Sequence, residues 1–268
     1  IANYLKRKMK CKVILDFRDP FARNERNVSS SFLVSLKRKL LVLLEYYFCE
    51  QADRIIVMNE ECNTLLCSRR KQNVDIIDNG FDEINLKRAT VISAFDGSHT
   101  LTLIYLGSFA ADRSINNVLS ANQQINRPLN VLHVGRKSVD LEKDSRVKSI
   151  GLVPYIDAIG YAKGSDVCLI LASGKPFEST TKIFDYIGLN KPILIVTNGL
   201  IKTGNVYQLV KDYPKVWWAE NNVESIKNTL VEISEYSTDT EVTNFNSDSM
   251  SRHEGLKKFV RVIELIDT

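Results

Sequence analysis

The chain has 268 residues, 44% of them hydrophobic and 25% charged, enough for two compact domains of ordinary size, which excludes disordered and collagen-like classes. Lys and Arg number 36 against 32 Asp and Glu, and the resulting net charge of +4 is spread along helical faces rather than gathered in a block, so nothing demands a nucleic-acid partner. The five cysteines, Cys11, Cys49, Cys62, Cys67 and Cys168, form an odd set without a framework spacing and fit a reducing compartment.

In chain order, helical patterns alternate with short apolar runs rich in Val and Ile, the signature of parallel strands covered by helices, and the predicted class is α/β. A helix end is expected over residues 1–9, a strand over 12–17, a long helix over 32–50, and strands over 54–58 and 74–77, followed by a turn at Asn79-Gly80. A second series opens with a strand at 101–106, a helix at 113–125 and strands at 129–134 and 147–150. It continues with helix 155–163, strand 167–171, helix 180–189, strand 192–196, helix 206–211, strand 215–219 and helix 223–236. Residues 237–248 are polar and loop-like. A closing helix over 250–266 carries Leu256, Phe259, Val260 and Ile263 at helical spacing.

The polar stretch 81–100 is expected to link the two series. The second series makes a whole doubly wound sheet and the first about half of one, so the first domain is expected to be truncated by roughly 100 residues. The longest apolar stretch, within residues 40–48, is broken by Glu45 and too short to span a bilayer. The helix over 32–48 carries Lys37, Arg38 and Lys39 beside many leucines. It fits either an anionic membrane surface or, more commonly, a helix packed on one side and solvated on the other.

Ligands of open parallel sheets bind beyond the carboxyl ends of strands, and three such loops stand out. The loop after 101–106 reads Gly107-Ser108-Phe109-Ala110-Ala111-Asp112-Arg113, where glycine permits close backbone approach and Arg113 can reach a phosphate. Taken alone, this signal is weak and reads rather as an ordinary strand-to-helix turn with a solvated Arg. After 167–171, Ser179 or Thr180 can cap a helix on which Lys182 and Asp185 lie one turn apart. Lys182 suits a diphosphate and Asp185 a pair of ribose hydroxyls, although spacing alone fits a surface salt bridge as well. After the first strand, Asp16, Arg18 and Asp19 stand at the end of a buried run, which favours an opening cleft over an Arg18–Asp19 pair that merely orders the loop before Pro20. His133, inside an apolar run, reads as a satisfied core residue rather than a base, and His99 and His253 complete no zinc site with it. Neither a Gly-x-Gly-x-x-Gly after a strand nor a P-loop is present, which argues against dehydrogenases and P-loop ATPases.

Together these loops resemble glycosyltransferase family 4, whose GT-B fold sets two Rossmann-like domains across a cleft. Asp16-Phe17-Arg18-Asp19-Pro20-Phe21 resembles the "DFRDPW" segment of one bacterial branch, and residues 52–57 (ADRIIV) the "ADxIIxxS" strand. Residues 75–82 (DIIDNGFD) are similar to the "xxIxNGxD" close of the first domain. The "GRxxxxKG" loop aligns with residues 107–114, placing Arg113 at the diphosphate-binding Lys and Ser108 where Arg is usual. Residues 180–186 (TTKIFDY) resemble the "PxKLFEY" donor helix, with Asp185 at the second acid and Phe177 at the first, and Glu178 one position late.

The resemblance implies donor-diphosphate contacts at Gly107, Ser108, Arg113, Thr180, Thr181 and Lys182, ribose at Asp185, sugar at Glu178 and base at Leu152 and Val153. It implies catalytic roles for Arg18 and Asp19 on the acceptor side and for Arg113 and Lys182 on the donor side. Domains are expected at 1–90 (the remainder of the acceptor-side domain with the linker), 91–246 (the nucleotide-sugar-binding domain) and 247–268 (a helix returning to the first). The implied enzyme is a retaining, metal-independent hexosyltransferase with no cofactor beyond its nucleotide-sugar substrate, and the chain has no Asp-x-Asp triplet. Its acceptor would be a glycan or a lipid-linked molecule, in polysaccharide assembly, in the cytoplasm or at the inner face of the membrane. This stretch alone is expected to be inactive. A GT-B nucleotide-sugar epimerase and a non-catalytic nucleotide-sugar-binding subunit are the competing readings.

Overall fold

The computed structural model describes residues 2–23, 32–69, 71–95, 100–109, 114–136, 145–235 and 245–267. Its chain divides into two compact units, one made of Ile1–Asn79 with His253–Thr268, the other of Gly80–Arg252.

The first unit contains helix α1 (Ala2–Met9), strand β1 (Ile14–Phe17), helix α2 (Phe32–Gln51), strand β2 (Arg54–Val57), helix α3 (Glu60–Leu65) and strand β3 (Val74–Ile76). The strands form a parallel sheet in the order β1-β2-β3. Six residues are too few for α3 to show a period, and the sequence reading missed it. Its signal is the cap, since the Asn59 side chain accepts from the Cys62 N–H at 2.8 Å. On α2, Leu36, Leu40, Leu43 and Tyr47 form an exposed apolar row at helical spacing. No helix among the described residues is long and apolar enough to cross a membrane.

Glu45 of α2 faces inward at 2% exposure. Its carboxylate oxygens accept from the buried N–H groups of Ala22, after β1, and Cys67, after α3, each at 2.7 Å. One side chain thus ties two loops to one helix. Glu45→Ala strands both donors, and in urea unfolding it is expected to cost about 2–4 kcal/mol. A loss well below 1 kcal/mol would mean that water takes over both donors.

The second unit begins with helix α4 (Glu83–Arg88) and strand β4 (Thr102–Leu106), then helix α5 (Asn116–Asn122), strands β5 (Asn130–Val134) and β6 (Val147–Gly151), and helix α6 (Tyr155–Lys163). Strand β7 (Val167–Ala172), helix α7 (Thr181–Gly188), strand β8 (Ile193–Thr197), helix α8 (Gly204–Val210), strand β9 (Val216–Glu220) and helix α9 (Val223–Glu235) follow. The sheet order is β6-β5-β4-β7-β8-β9 and all pairs are parallel. Counted within the unit this is 3-2-1-4-5-6, the doubly wound order whose direction reverses between β4 and β7.

Strands β4, β5, β7 and β8 are buried throughout because helices cover both faces. Leu103, Tyr105, Val131, Leu169 and Val196 pack with Val118 of α5 and Leu230 of α9. The alternate residues Ile104, Leu132, Ile170 and Ile195 pack with Ile183 of α7 and Val210 of α8.

The stretch expected as a polar linker differs from that reading. Phe81, Leu86 and Ala89 pack against Ile159 and Phe184, so α4 is part of the second unit's core. Phe81 also pairs with Ser251 in a β-bridge, donating to Met250 O at 3.2 Å and accepting from the Arg252 N–H at 2.9 Å. A side chain at Gly80 would collide with that backbone. Helix α10 (Arg252–Asp267) then packs Val262 with Ile56 of β2 and with Ile77, just after β3.

Candidate functional site

The reversal of strand order between β4 and β7 opens a crevice position at their carboxyl ends, and the loops that leave them carry the candidate residues. Directly after β4 comes Gly107, with φ +135, a conformation that side-chain-bearing residues rarely adopt. Lys182, from the first turn of α7, lies so close that a methyl group at Gly107 would strike its Nζ. The same ammonium sits 5.0 Å from the centre of the Tyr105 ring, a cation–π distance. Residues more than 70 apart in sequence are thereby brought together at one strand end. Arg113, the other expected cation, lies outside the described residues, which resume at Ser114.

Below this turn runs a lateral row of side chains. Tyr105, His133 and Ser149 are register partners on β4, β5 and β6. The His133 ring is fully buried; its Nε2 is 2.8 Å from Gly107 O and its Nδ1 is 2.8 Å from Ser149 Oγ. A carbonyl only accepts, so Nε2 carries the proton, and the neutral ring receives the Ser149 hydroxyl at Nδ1. Burial holds the His133 pKa below the ordinary imidazole value; the Gly107 bond opposes this and nearby Lys182 adds to it. The Tyr105 hydroxyl donates to Ser108 O at 3.2 Å, and the Phe109 ring lies over His133 at 4.4 Å. As the sequence reading held, His133 is a satisfied core residue.

At the start of α7, Thr180 occupies the N-cap position without a side-chain capping bond, and Ser179 Oγ is buried with no hydrogen-bond partner. The side-chain cap expected from Ser179 or Thr180 is therefore not formed, since neither hydroxyl turns back onto the first-turn N–H groups. Thr181 is exposed at the helix entrance.

Glu178 is 8% exposed, and its Oε2 accepts from both the N–H and the hydroxyl of Ser173, at 2.7 and 2.8 Å. Asn205 of α8 donates from its backbone to Pro176 O at 2.7 Å and from its side chain to Glu178 O at 3.3 Å. The carboxylate thus closes the loop after β7 on itself. Asn205 was missed in the sequence because its role depends on two loops meeting.

Asp185 follows Lys182 by one turn but points to a different neighbourhood. It is 7% exposed and accepts from the Tyr155 hydroxyl at 2.7 Å. Burial pushes its pKa up to about 6, against the Tyr155 bond and Arg252, which lower it, and Asp82, which raises it further. The Arg252 side chain pairs with Asp82 at 3.1 Å. Tyr155 opens α6 after the N-cap Pro154, which follows Leu152, 72% exposed, and the half-buried Val153. The acid expected at a ribose is thereby bonded to the first residue of α6, the helix that follows the two positions expected at a base.

In the first unit, Arg18 and Asp19 are exposed beyond β1. Arg18 donates to Asp16 at 2.7 Å and to Ile77 O at 3.3 Å. The Arg18–Asp19 pair considered for this loop is replaced by Arg18–Asp16, because a two-residue offset along the strand end keeps both side chains on one side. Nearby Asp78 has a buried, unpartnered Oδ1 and a pKa pushed up to about 6 by burial, with Lys258 opposing, Glu61 adding and Arg18 opposing. Among the described residues no group of His, Cys, Asp and Glu is placed to hold a metal ion.

No protein-family model matches this chain, and no curated protein matches it significantly. Among solved structures it is similar to HepE of Anabaena in complex with UDP and glucose, with a TM-score of 0.70 at 13% identity over 99% of this chain and 74% of that one. The pneumococcal O-GlcNAc transferase GtfA in complex with UDP and GlcNAc has a TM-score of 0.54 at 12% identity, covering 99% of this chain and 55% of that one. The UDP-GlcNAc 2-epimerase of Methanocaldococcus jannaschii has a TM-score of 0.52 at 11% identity, covering 98% and 73%. At such identities the likeness carries the fold: this chain has the two parallel-sheet α/β units of GT-B proteins.

Proposed function

We propose that this chain belongs to a glycosyltransferase similar to family 4, which moves a sugar from a nucleotide donor to a glycan or lipid-linked acceptor with retention and without a metal. The observation that carries the reading is the meeting of Lys182 with the Gly107 turn at the switch point of the 3-2-1-4-5-6 sheet. Breaking the sugar–phosphate bond leaves negative charge on a nucleoside diphosphate, and a fixed ammonium beside a glycine turn and a helix N-terminus stabilises it. In this reading Lys182, Gly107, Ser108, Thr180 and Thr181 hold the diphosphate, with Arg113 as a second cation. Asp185 takes the ribose hydroxyls in exchange for the Tyr155 hydroxyl, and Leu152 and Val153 face the base. Glu178 shapes the sugar-side loop through Ser173. Arg18 and Asp19 serve the acceptor side.

The test is to supply the full reading frame with UDP-, GDP- and ADP-sugars and an extract of candidate acceptors, and to measure release of free nucleotide. Acceptor-dependent release is expected. Structural likeness to an epimerase supports a second reading, in which the sugar is inverted at carbon with no acceptor; acceptor-independent formation of a sugar epimer would establish that reading instead. Nucleotide-sugar binding with neither outcome would leave a non-catalytic binding subunit.

A further inference from the structure

A glycine turn binds an anion only when its amides face the anion and its carbonyls do not. Gly107 lacks the Cβ that restricts its own peptide, so the orientation of the Gly107–Ser108 peptide must be set from outside. Two buried side chains set it. His133 donates to Gly107 O and Tyr105 donates to Ser108 O. A trans peptide carries its C=O and N–H in opposite directions. Drawing the Gly107 carbonyl toward His133 therefore aims the Ser108 N–H away from the ring, and drawing the Ser108 carbonyl toward Tyr105 does the same for the Phe109 N–H. No described backbone carbonyl accepts from either amide. Lys182 stands beside the same turn. Ser149 completes the device, since its hydroxyl engages Nδ1 and leaves the proton on Nε2.

We propose that His133 is a positioning residue for diphosphate binding: its imidazole locks the Gly107 carbonyl inward, so that successive amides of the turn and Lys182 converge on the anion. The inference rests on the nucleotide-sugar reading and adds a residue to it. His133 does not touch the ligand; it acts through the turn.

The experiment is calorimetric titration of the whole chain with UDP and, separately, with uridine, in the wild type and in two variants. His133→Gln places an amide nitrogen near the position of Nε2 and keeps a donor to Gly107 O. His133→Asn is shorter and reaches only the Ser149 side. UDP affinity is expected to fall about tenfold in His133→Asn, the scale of one hydrogen bond that orders a charged contact, and to stay within about threefold of wild type in His133→Gln. Uridine affinity is expected to be unchanged in both.

Equal UDP affinity in wild type and His133→Asn overturns the inference. So does a loss shared equally by UDP and uridine, or equal losses in both variants, because a general loosening of the core would produce either. Failure of the unmodified chain to bind UDP, GDP or ADP would instead remove the nucleotide-sugar reading itself, and the inference with it. Should His133→Asn not fold, Tyr105→Phe removes only the hydroxyl on Ser108 O, and a loss confined to UDP is again expected. A shared loss or no loss there overturns the arrangement.

Discussion

Lys182→Ala is expected to weaken UDP binding by about 10- to 100-fold, the range of one charge-assisted contact worth roughly 1.5–3 kcal/mol. Lys182 is half-buried, and its ammonium lies 5.0 Å from the Tyr105 ring centre and crowds Gly107. A cation held over an aromatic face near a turn is already oriented, so little entropy is lost when a phosphate arrives. Turnover should fall further than affinity, because charge on the leaving diphosphate grows in the transition state. Lys182→Arg keeps the charge but brings a broader guanidinium against Gly107, and an intermediate loss is expected. Unchanged UDP affinity in Lys182→Ala, measured by calorimetry, would remove this side chain from the anion site.

Asp185→Asn should separate stability from binding. Burial raises the folded-state pKa of Asp185 to about 6 from an ordinary value near 3.8. The folded chain therefore retains a proton, between about pH 4 and 6, that the unfolded chain has already released. This group's contribution to stability is therefore greatest below about pH 4, declines as pH rises through 6, and stays lowered above it. At pH 7.5 the ionised carboxylate costs on the order of 2 kcal/mol. The neutral amide still accepts from Tyr155 and avoids that cost. Asp185→Asn is thus expected to raise the melting temperature by about 5 °C at pH 7.5 and by little at pH 4. Its affinity for UDP should nevertheless fall, because an ionised acceptor for the ribose hydroxyls is lost. A melting temperature unchanged or lowered at pH 7.5 would contradict the argument.

Local order along the chain was legible in the sequence wherever one physical rule acted alone. The buried runs of β4, β5, β7 and β8 are built largely of Leu, Ile and Val because helices cover both faces, and α6 and α9 announce themselves by period. The short helices α3 and α4 escaped notice because six residues complete fewer than two turns; each is marked only by its cap, Asn59 or Asp82. In the same way the segment around Phe81 and Leu86 read as linker, since the partners that bury it, Ile159 and Phe184, lie far along the chain.

What the sequence by itself determined is a composition of strands, helices and charged loops in α/β alternation, with Lys182 and Asp185 one turn apart on one helix. Tertiary structure alone decided that these two serve different neighbourhoods, Lys182 beside Gly107 and Asp185 beneath Tyr155. It also decided that Arg18 pairs with Asp16 and that Glu178 is engaged by Ser173. The reason is that a spacing rule sets the direction in which a side chain leaves its own element, whereas its partner is set by strand order. The order β6-β5-β4-β7-β8-β9 brings residues 107, 133 and 182 to one edge, and no local pattern encodes that order.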